Sequence, residues 1–315
     1  MDQHDRIYVA GHTGLVGTAL VKRLGKEGFS HLILQSSREL DLRNQEAVSR
    51  FYRKEQPDFV IVAAARVGGI LANDLYSAEF LYDNLMIAAN LIHGAWEHKV
   101  KKLLFLGSSC VYPASTPQPM KESQLLTAPL EPTNEAYAMA KLSGIMMCRH
   151  YRKQYGADFI SALPTNLYGP HDHFDLQTAH VLPALIRKFH EAVVEQRATV
   201  EIWGTGTPVR EFMHVDDLAD ACLFLMKHYS SKEPINVESG EEISIRDLAE
   251  MIRKVTGYKG EIVYDPTKPE GVSRKLLDTS KLRQLGWESG ISLPQGIKET
   301  YQWYQTALRE DQHAT

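Results

Sequence analysis

Apolar and polar positions along the chain follow two alternating periods. Short apolar runs recur at Ile7–Ala10, Phe59–Ala63, Lys102–Phe105 and Phe159–Leu163. A run that is apolar on both faces predicts a strand covered on both sides, as in a parallel sheet. Between these runs the apolar residues take helical spacing, over about Leu15–Glu27, Asn44–Gln56, Phe80–His98 and Tyr137–Tyr155. His31–Gln35 reads as one more strand. Phe80–His98 is apolar around much of its circumference, which predicts burial in the core or against a second subunit. Beyond Leu163 the strands are shorter: Val200–Trp203, Val209–Met213 and Ile235–Val237. Helices are predicted from His180 to about Val194, from His214 to about Tyr229, from Ser244 to Thr256 and within Ser292–Arg309, with loops over Pro164–Asp175 and Asp265–Lys275. Regular strand–helix alternation followed by a less regular stretch predicts an α/β protein: a doubly wound parallel sheet with a smaller, interleaved C-terminal α/β unit.

The chain has 315 residues, room for two such units. Its formal charge of -4 provides no basic field for nucleic acid or an anionic membrane surface. No uncharged apolar run reaches the ~18 residues of a membrane span, and Met1–Arg6 lacks the apolar stretch of a signal peptide. Three cysteines, an odd and small number, predict a reducing compartment, the cytoplasm. Cys148 and Cys222 fall in helical patterns and read as core thiols; Cys110 does not.

Gly11-His12-Thr13-Gly14-Leu15-Val16-Gly17 joins the first strand to the first helix. Gly11 permits a tight turn, Gly14 lets backbone N–H groups approach a pyrophosphate, and Gly17 lets the helix pack on the strand. The helix N-terminus favours the phosphate charge. Thr13, Leu15 and Val16 lie along the same turn. The unit predicts a Rossmann-type dinucleotide domain. After the second strand comes Ser36-Ser37-Arg38-Glu39, where Arg38, beside Ser37, suits a 2′-phosphate and so NADP(H). Asp41 and Leu42 are candidates for the adenine, and Ala64 and Ala65 are small enough to let a loop lie against the cofactor. Residues 1–168 and about 212–238 are read as the NADP-binding domain, and about 169–211 and 239–315 as the substrate domain.

The strand Lys102–Phe105 runs into Leu106-Gly107-Ser108-Ser109-Cys110-Val111-Tyr112-Pro113. Ligands of open α/β sheets bind at carboxyl strand ends, so Ser108 and Cys110 are placed for chemistry. Tyr137 and Lys141 stand one helical turn apart on one face. A neighbouring ammonium favours phenolate, so the tyrosine is expected to titrate below its ordinary value near 10 and to donate a proton to a carbonyl that receives hydride. His171, His173 and His180 lie among acids, but nothing in their spacing fixes a tetrahedral metal set.

At these residues the sequence resembles the extended short-chain dehydrogenases/reductases that act on nucleotide sugars. GHTGLVG, ARVGGI, GSSCVYP, YAMAK, PTNLYGPHDHFD and WGTGTPVREFMHVDD match that family in order, over almost the whole chain. The resemblance implies that Ser108, Tyr137 and Lys141 are a reductase triad. It also implies that Cys110 and His180 are base and acid for epimerisation, as in members acting on GDP-4-keto-6-deoxy-D-mannose. It extends the cofactor contacts to Leu106, Gly107, Lys141, Pro164, Asn166, Leu167 and His180, and implies GDP recognition by Lys188, Trp203, Arg210 and Asp278. The family's usual arginines are replaced at Thr13, Ser37 and Lys188; Arg38 compensates for the loss near the 2′-phosphate, and Lys188 keeps charge without bidentate geometry. A homodimer is implied, with Phe80–His98 and Tyr137–Tyr155 as its helices. Two other readings stay open: a simpler nucleotide-sugar epimerase or reductase with Cys110 and His180 idle, and a non-catalytic NADP-binding scaffold.

Overall fold

The computed structural model describes residues 1–176, 178–268 and 271–313. Six strands form one all-parallel sheet: β1 (Ile7–Ala10), β2 (Leu32–Ile33), β3 (Phe59–Val62), β4 (Lys102–Leu106), β5 (Phe159–Pro164) and β9 (Ile235–Val237). Their order is β2-β1-β3-β4-β5-β9. Successive side chains leave opposite faces of a strand, and each face has its own core. Ile7, Val9, Ile61, Leu104, Leu106 and Ile160 pack on one side with α1 (Leu15–Lys26) and α7 (Val215–His228). Tyr8, Val60, Val62, Leu103, Phe105 and Leu163 pack on the other with α2 (Gln45–Glu55), α4 (Ser77–Glu97) and α5 (Glu135–Tyr155). The doubly wound sheet expected from the sequence is thus present. A short helix, α3 (Ile70–Leu75), precedes α4.

The second unit is built on β6 (Asn166–Tyr168), β7 (Thr199–Trp203), β8 (Val209–His214), β10 (Glu242–Ser244), β11 (Glu261–Asp265) and β12 (Arg274–Lys275), with α6 (Val181–Val194), α8 (Ile245–Thr256), α9 (Ser280–Gln284) and α10 (Leu293–His313). β8 pairs with β10, β12 and β6, and β11 pairs with β7. Its core gathers Leu182, Ile186, Phe189, Phe212, Leu248, Ile252 and Ile297. The two units interleave at residue level. Phe212 belongs to this core, Met213 to the core under the parallel sheet, and Leu282 and Trp287 also return to the latter.

Several boundaries differ from expectation. Of His31–Gln35 only Leu32 and Ile33 pair, because β2 is an edge strand whose partners are Ile7 and Tyr8 alone. The stretches expected to loop at Pro164–Asp175 and Asp265–Lys275 contribute β6 and β12, strands of three and two residues made by distant pairing with β8. No local period marks pieces so short. The helix expected from Phe80 starts earlier, at Ser77, over a polar first turn.

One charged residue inside the fold has a clear physical reason. Lys102 opens β4 and is buried. Its ammonium donates to the carbonyls of Leu225, Met226 and Tyr229 at 3.2, 2.9 and 2.5 Å. Leu225 already accepts the Tyr229 N–H at 3.0 Å, whereas the Met226 and Tyr229 carbonyls lie where the helix ladder runs out, so the lysine caps α7 from the neighbouring sheet. Lys102→Met keeps the length and adds apolar character, yet takes the ammonium away from the Met226 and Tyr229 carbonyls. It is expected to cost about 2–3 kcal/mol and to lower the melting temperature by several degrees in a thermal melt followed by circular dichroism.

Candidate active site

The glycine turn is shaped by close approach. Gly11 has φ +85, and a Cβ there would lie 2.7 Å from the Ala64 backbone. A Cβ on Gly17 would lie 2.0 Å from the Gly11 carbonyl. Gly14 is different. Its φ is -83, and the nearest protein atom to a Cβ is at 3.6 Å, so packing does not require glycine there. It is the N-cap of α1, and no side chain caps the helix. The bare helix start and the space kept above Gly14 fit a pyrophosphate. Thr13 is exposed and Leu15 and Val16 half-buried on this turn.

At the end of β2, Glu39 is folded back on Ser36, accepting from its N–H at 2.8 Å and its hydroxyl at 2.7 Å. These bonds hold its carboxyl below the ordinary range. Arg38 and Ser37 are exposed, and Arg38 makes no ion pair among the described residues, so this cation is open to a phosphate. Asp41 is engaged by Arg43, whose Nε is 2.9 Å away, and Leu42 packs against the core. The loop after β3 carries Ala64 and Ala65. It is fixed at Arg66, whose N–H donates to Asn84 at 2.8 Å and whose carbonyl accepts from Asn84 at 3.0 Å.

The strand end of β4 meets α5 closely. A Cβ on Gly144 would fall 2.3 Å from the Phe105 ring, so glycine lets the helix settle on the strand. Lys141 is consequently buried, with its ammonium 5.0 Å from the Phe105 ring centre and donating to the Leu106 carbonyl at 2.8 Å. The same ammonium is 5.8 Å from the Tyr137 ring centre. Phe80 of α4 meets that ring edge-on at 6.5 Å. Gly107 donates its N–H to Ala162 at 2.8 Å. Ser108 then caps a single 3-10 turn, Ser109–Val111, with its hydroxyl accepting from the Cys110 N–H at 3.3 Å.

Burial lowers Lys141 to about 8, opposed by Cys110. Tyr137 moves against expectation: burial, and next the Cys110 group, push the phenol up from 10. Desolvation of the phenolate outweighs the neighbouring ammonium. The phenol is therefore held protonated, which suits a proton donor. Cys110 is also raised by burial, with Lys275, Ser108 and Lys141 pulling the other way. Cys148 and Cys222 are buried, and Cys148 is pushed up to about 12 by the same desolvation.

Lys275 was not singled out in the sequence. It belongs to β12, whose register sets it against Arg210 of β8. It is half-buried, and its charge acts on both Cys110 and His180. Its only sequence signal, the dipeptide Arg274-Lys275, sits where a loop was expected. His180 is the N-cap residue of α6, open to solvent on one side and crowded by protein on the others. That crowding, then Lys275 and His173, lower it from 6.5. The loop leading to it is held by Thr178, whose carbonyl accepts from Gly69 at 2.8 Å. The other two histidines are engaged elsewhere: His171 packs on Trp303 at 4.8 Å and His173 meets the Thr178 hydroxyl at 2.7 Å. A cavity of about 470 Å³ beside this loop, between α6 and α10, holds none of these groups.

Of the remaining candidates, Pro164 ends β5 opposite Val237, Asn166 donates to the Glu211 carbonyl at 2.9 Å, and Leu167 packs on the core beneath the sheet. Trp203 is 47% exposed and flanked by two ammonium groups, Lys188 at 5.6 Å and Lys268 at 5.9 Å from its ring centre. Lys188 also donates to the Glu201 carbonyl at 3.0 Å. An open aromatic face between cations suits a base and its phosphates. Asp278 stands apart from this group. Its carboxylate accepts from Ser280 N–H at 2.9 Å at the start of α9, and lies 3.9 Å from Lys121.

With this geometry in place, the chain can be set beside known proteins. The sequence pattern of the NAD dependent epimerase/dehydratase family matches residues 7–238. GDP-L-fucose synthase 1 of Arabidopsis thaliana is 56% identical over 303 residues, covering 96% of this chain and 94% of that protein. GDP-L-fucose synthase of Escherichia coli (strain K12) is 50% identical over 308 residues, covering 95% and 96%. The solved structure of a GDP-L-fucose synthetase from Naegleria fowleri bound to NADP superposes with a TM-score of 0.90 at 32% identity, covering 98% of this chain and 96% of that one.

The competing effects on Cys110 make it a slow thiol at neutral pH that sharpens as pH rises. Its alkylation by iodoacetamide is expected to climb about tenfold per pH unit up to pH 9. Removing the cation with Lys275→Met is expected to slow labelling at pH 8 several-fold; peptide mass spectrometry reads the site. Equal rates in the two proteins would show that Lys275 does not act on the thiol.

Proposed function

The chain belongs to the NAD dependent epimerase/dehydratase family, and on that premise we propose that it converts GDP-4-keto-6-deoxy-D-mannose to GDP-L-fucose. The reaction is epimerisation at C3 and C5 followed by NADPH-dependent reduction of the C4 ketone. The observation that carries this reading is the cluster of Ser108, Cys110, Tyr137 and Lys141 at one strand end, with Lys275 acting on both Cys110 and His180.

The carbons at C3 and C5 flank the ketone, so their protons are acidic. Removing either leaves an enolate whose charge sits on O4. Ser108 and Tyr137 donate hydrogen bonds to that oxygen, the electrostatic stabilisation that such reactions depend on most. Inversion needs removal on one face and return on the other. Cys110 and His180 act from opposite sides as base and acid. NADPH, when bound, supplies the hydride to C4. Tyr137 gives its proton to the oxygen that becomes the hydroxyl, and Lys141 holds that phenol in place.

The cofactor is held by the turn Gly11–Gly17, by Ser37 and Arg38 at the 2′-phosphate, by Asp41 and Leu42 near the adenine, and by Ala64 and Ala65. Leu106, Gly107, Lys141, Pro164, Asn166, Leu167 and His180 complete its contacts. Lys188, Trp203 and Arg210 take the GDP end, and Asp278 is assigned there by family resemblance alone. Residues 1–168 and about 212–238 serve the cofactor; about 169–211 and 239–315 serve the substrate. The chain works as a homodimer through the outer faces of α4 and α5, where Tyr82, Met139 and Tyr155 are exposed. Its free cysteines suit the reducing cytoplasm.

The test is turnover in deuterium oxide with product analysis by mass spectrometry. Deuterium is expected at C3 and C5 of the product, with NADPH consumed one for one. Cys110→Ser is expected to reduce exchange at least a hundredfold without lowering the melting temperature. Tyr137→Phe removes only the hydroxyl; reduction is expected to fall by about 10²–10⁴ while exchange survives in part. A product without deuterium at those carbons would leave a simple reductase. Equal loss of both activities in Tyr137→Phe would deny the division of labour.

A further inference from the structure

Two carboxylates that take no part in this chemistry are buried against each other. Glu211 lies on β8 and Glu238 just beyond β9, at 4% and 5% exposure. Oε2 of Glu211 accepts from the Leu277 N–H at 2.9 Å. Oε1 of Glu238 accepts from the Thr279 hydroxyl at 2.9 Å, and its other oxygen accepts from the Gly240 N–H. The charged groups facing the pair are few. Arg283 is 3.9 Å from Glu238 but largely exposed. Glu242 faces Glu211 from β10 and is bound by Arg274 at 2.6 Å. A carboxyl buried beside another acid holds its proton more tightly than one in water. Burial and then Glu238 push Glu211 up to about 9, so Glu211 is the protonated acid at neutral pH.

The place of the pair gives it consequence. Arg210 and Glu211 are consecutive on β8, so their side chains leave opposite faces of the strand. Arg210 stands in register with Lys275 on β12. Two residues after Lys275 comes Leu277, the N–H that Glu211 holds. Glu238 ties the next turn of the same segment, at Thr279, to the end of the parallel sheet. The two acids thus fasten together the strands that carry both cations. We propose that Glu211 and Glu238 form a clasp that holds the segment after β12 in register with β8, and so positions Arg210, with Lys275 beside it, for the diphosphate of the sugar nucleotide. This rests on the proposed reading of Arg210 as a group that meets the substrate's phosphates.

The experiment compares the wild-type protein with Glu211→Gln and Glu211→Ala, using GDP as probe in calorimetry from pH 7 to 10. The glutamine reproduces the protonated acid: its carbonyl accepts from Leu277 and its amide donates to Glu238, at every pH. Wild-type affinity for GDP is expected to fall about tenfold or more between pH 8 and 10, and Glu211→Gln to remove at least half of that logarithmic fall. Glu211→Ala is expected to weaken GDP about tenfold already at pH 7.5 and to leave NADPH affinity unchanged. A Glu211→Gln curve as steep as the wild-type curve overturns the clasp, because the alkaline loss then belongs to Lys275 itself. A wild-type protein that binds no GDP at pH 7.5 overturns the substrate reading instead, and thermal melts then decide the clasp. Glu211 keeps a proton in the fold that the unfolded chain releases above its ordinary 4.5, so melting temperature should fall as pH rises from 4.5 to about 9 and level above. Glu211→Gln should flatten that slope; parallel slopes overturn the clasp.

Discussion

The ammonium of Lys141 donates to the carbonyl of Leu106 at 2.8 Å, inside the fold and away from bulk water. Much of the site depends on that bond. It can form because Gly144 brings α5 onto Phe105, and it fixes the helix against the end of β4 in one register. The Tyr137 ring is then carried to the same end, where Phe80 closes its edge. The turn Ser109–Val111 begins from the carbonyl end of that strand, so the hydroxyl of Ser108 and the thiol of Cys110 inherit their position from it. A strand, a glycine and a buried cation together set four reactive groups on one spot.

Burial also governs the electrostatics. The pull of Lys141 on its tyrosine was read from spacing alone, and in the fold it loses to desolvation. A charge a few ångströms away is worth its effect only if the ion it stabilises can be solvated, and Tyr137 is too enclosed for that. Cys110 is in a more balanced position, with three neighbours opposing its burial. Lys275 is the largest of these opposing influences, and it reaches the site from a strand far along the chain.

Legibility followed the range of the contacts. The parallel sheet was readable because each strand is apolar on both faces and each helix repeats its stripe several times. Ser108, Cys110, Tyr137 and Lys141 were readable because spacing along one strand end and one helix face predicts their geometry. Lys275, β6 and β12 were not, since two or three residues carry no period and their partner β8 is distant in sequence. The Glu211–Glu238 pair was hidden for the same reason: neither acid differs locally from a surface glutamate. Asp278 shows the converse limit, a residue assigned by resemblance whose carboxylate the fold uses to begin α9.

The surroundings of Cys110 and His180 set the protonation from which the proposed epimerisation starts. Crowding lowers His180 below 6.5 and burial raises Cys110 above 9, so across neutral pH the histidine is neutral and the cysteine is a thiol. That is not the ion pair that a thiolate base and an imidazolium acid would make. The two states nevertheless hold the same single proton, so passing between them needs no exchange with solvent. In the proposed reaction, whether the proton starts on sulfur or on nitrogen decides which face of the sugar is attacked first. Lys275 stabilises the thiolate and opposes the imidazolium, so it draws the two titrations down together and leaves the one-proton state in place. The proposed inversion of two carbons in turn suits this arrangement, because each inversion would leave the proton on the opposite partner and the total unchanged.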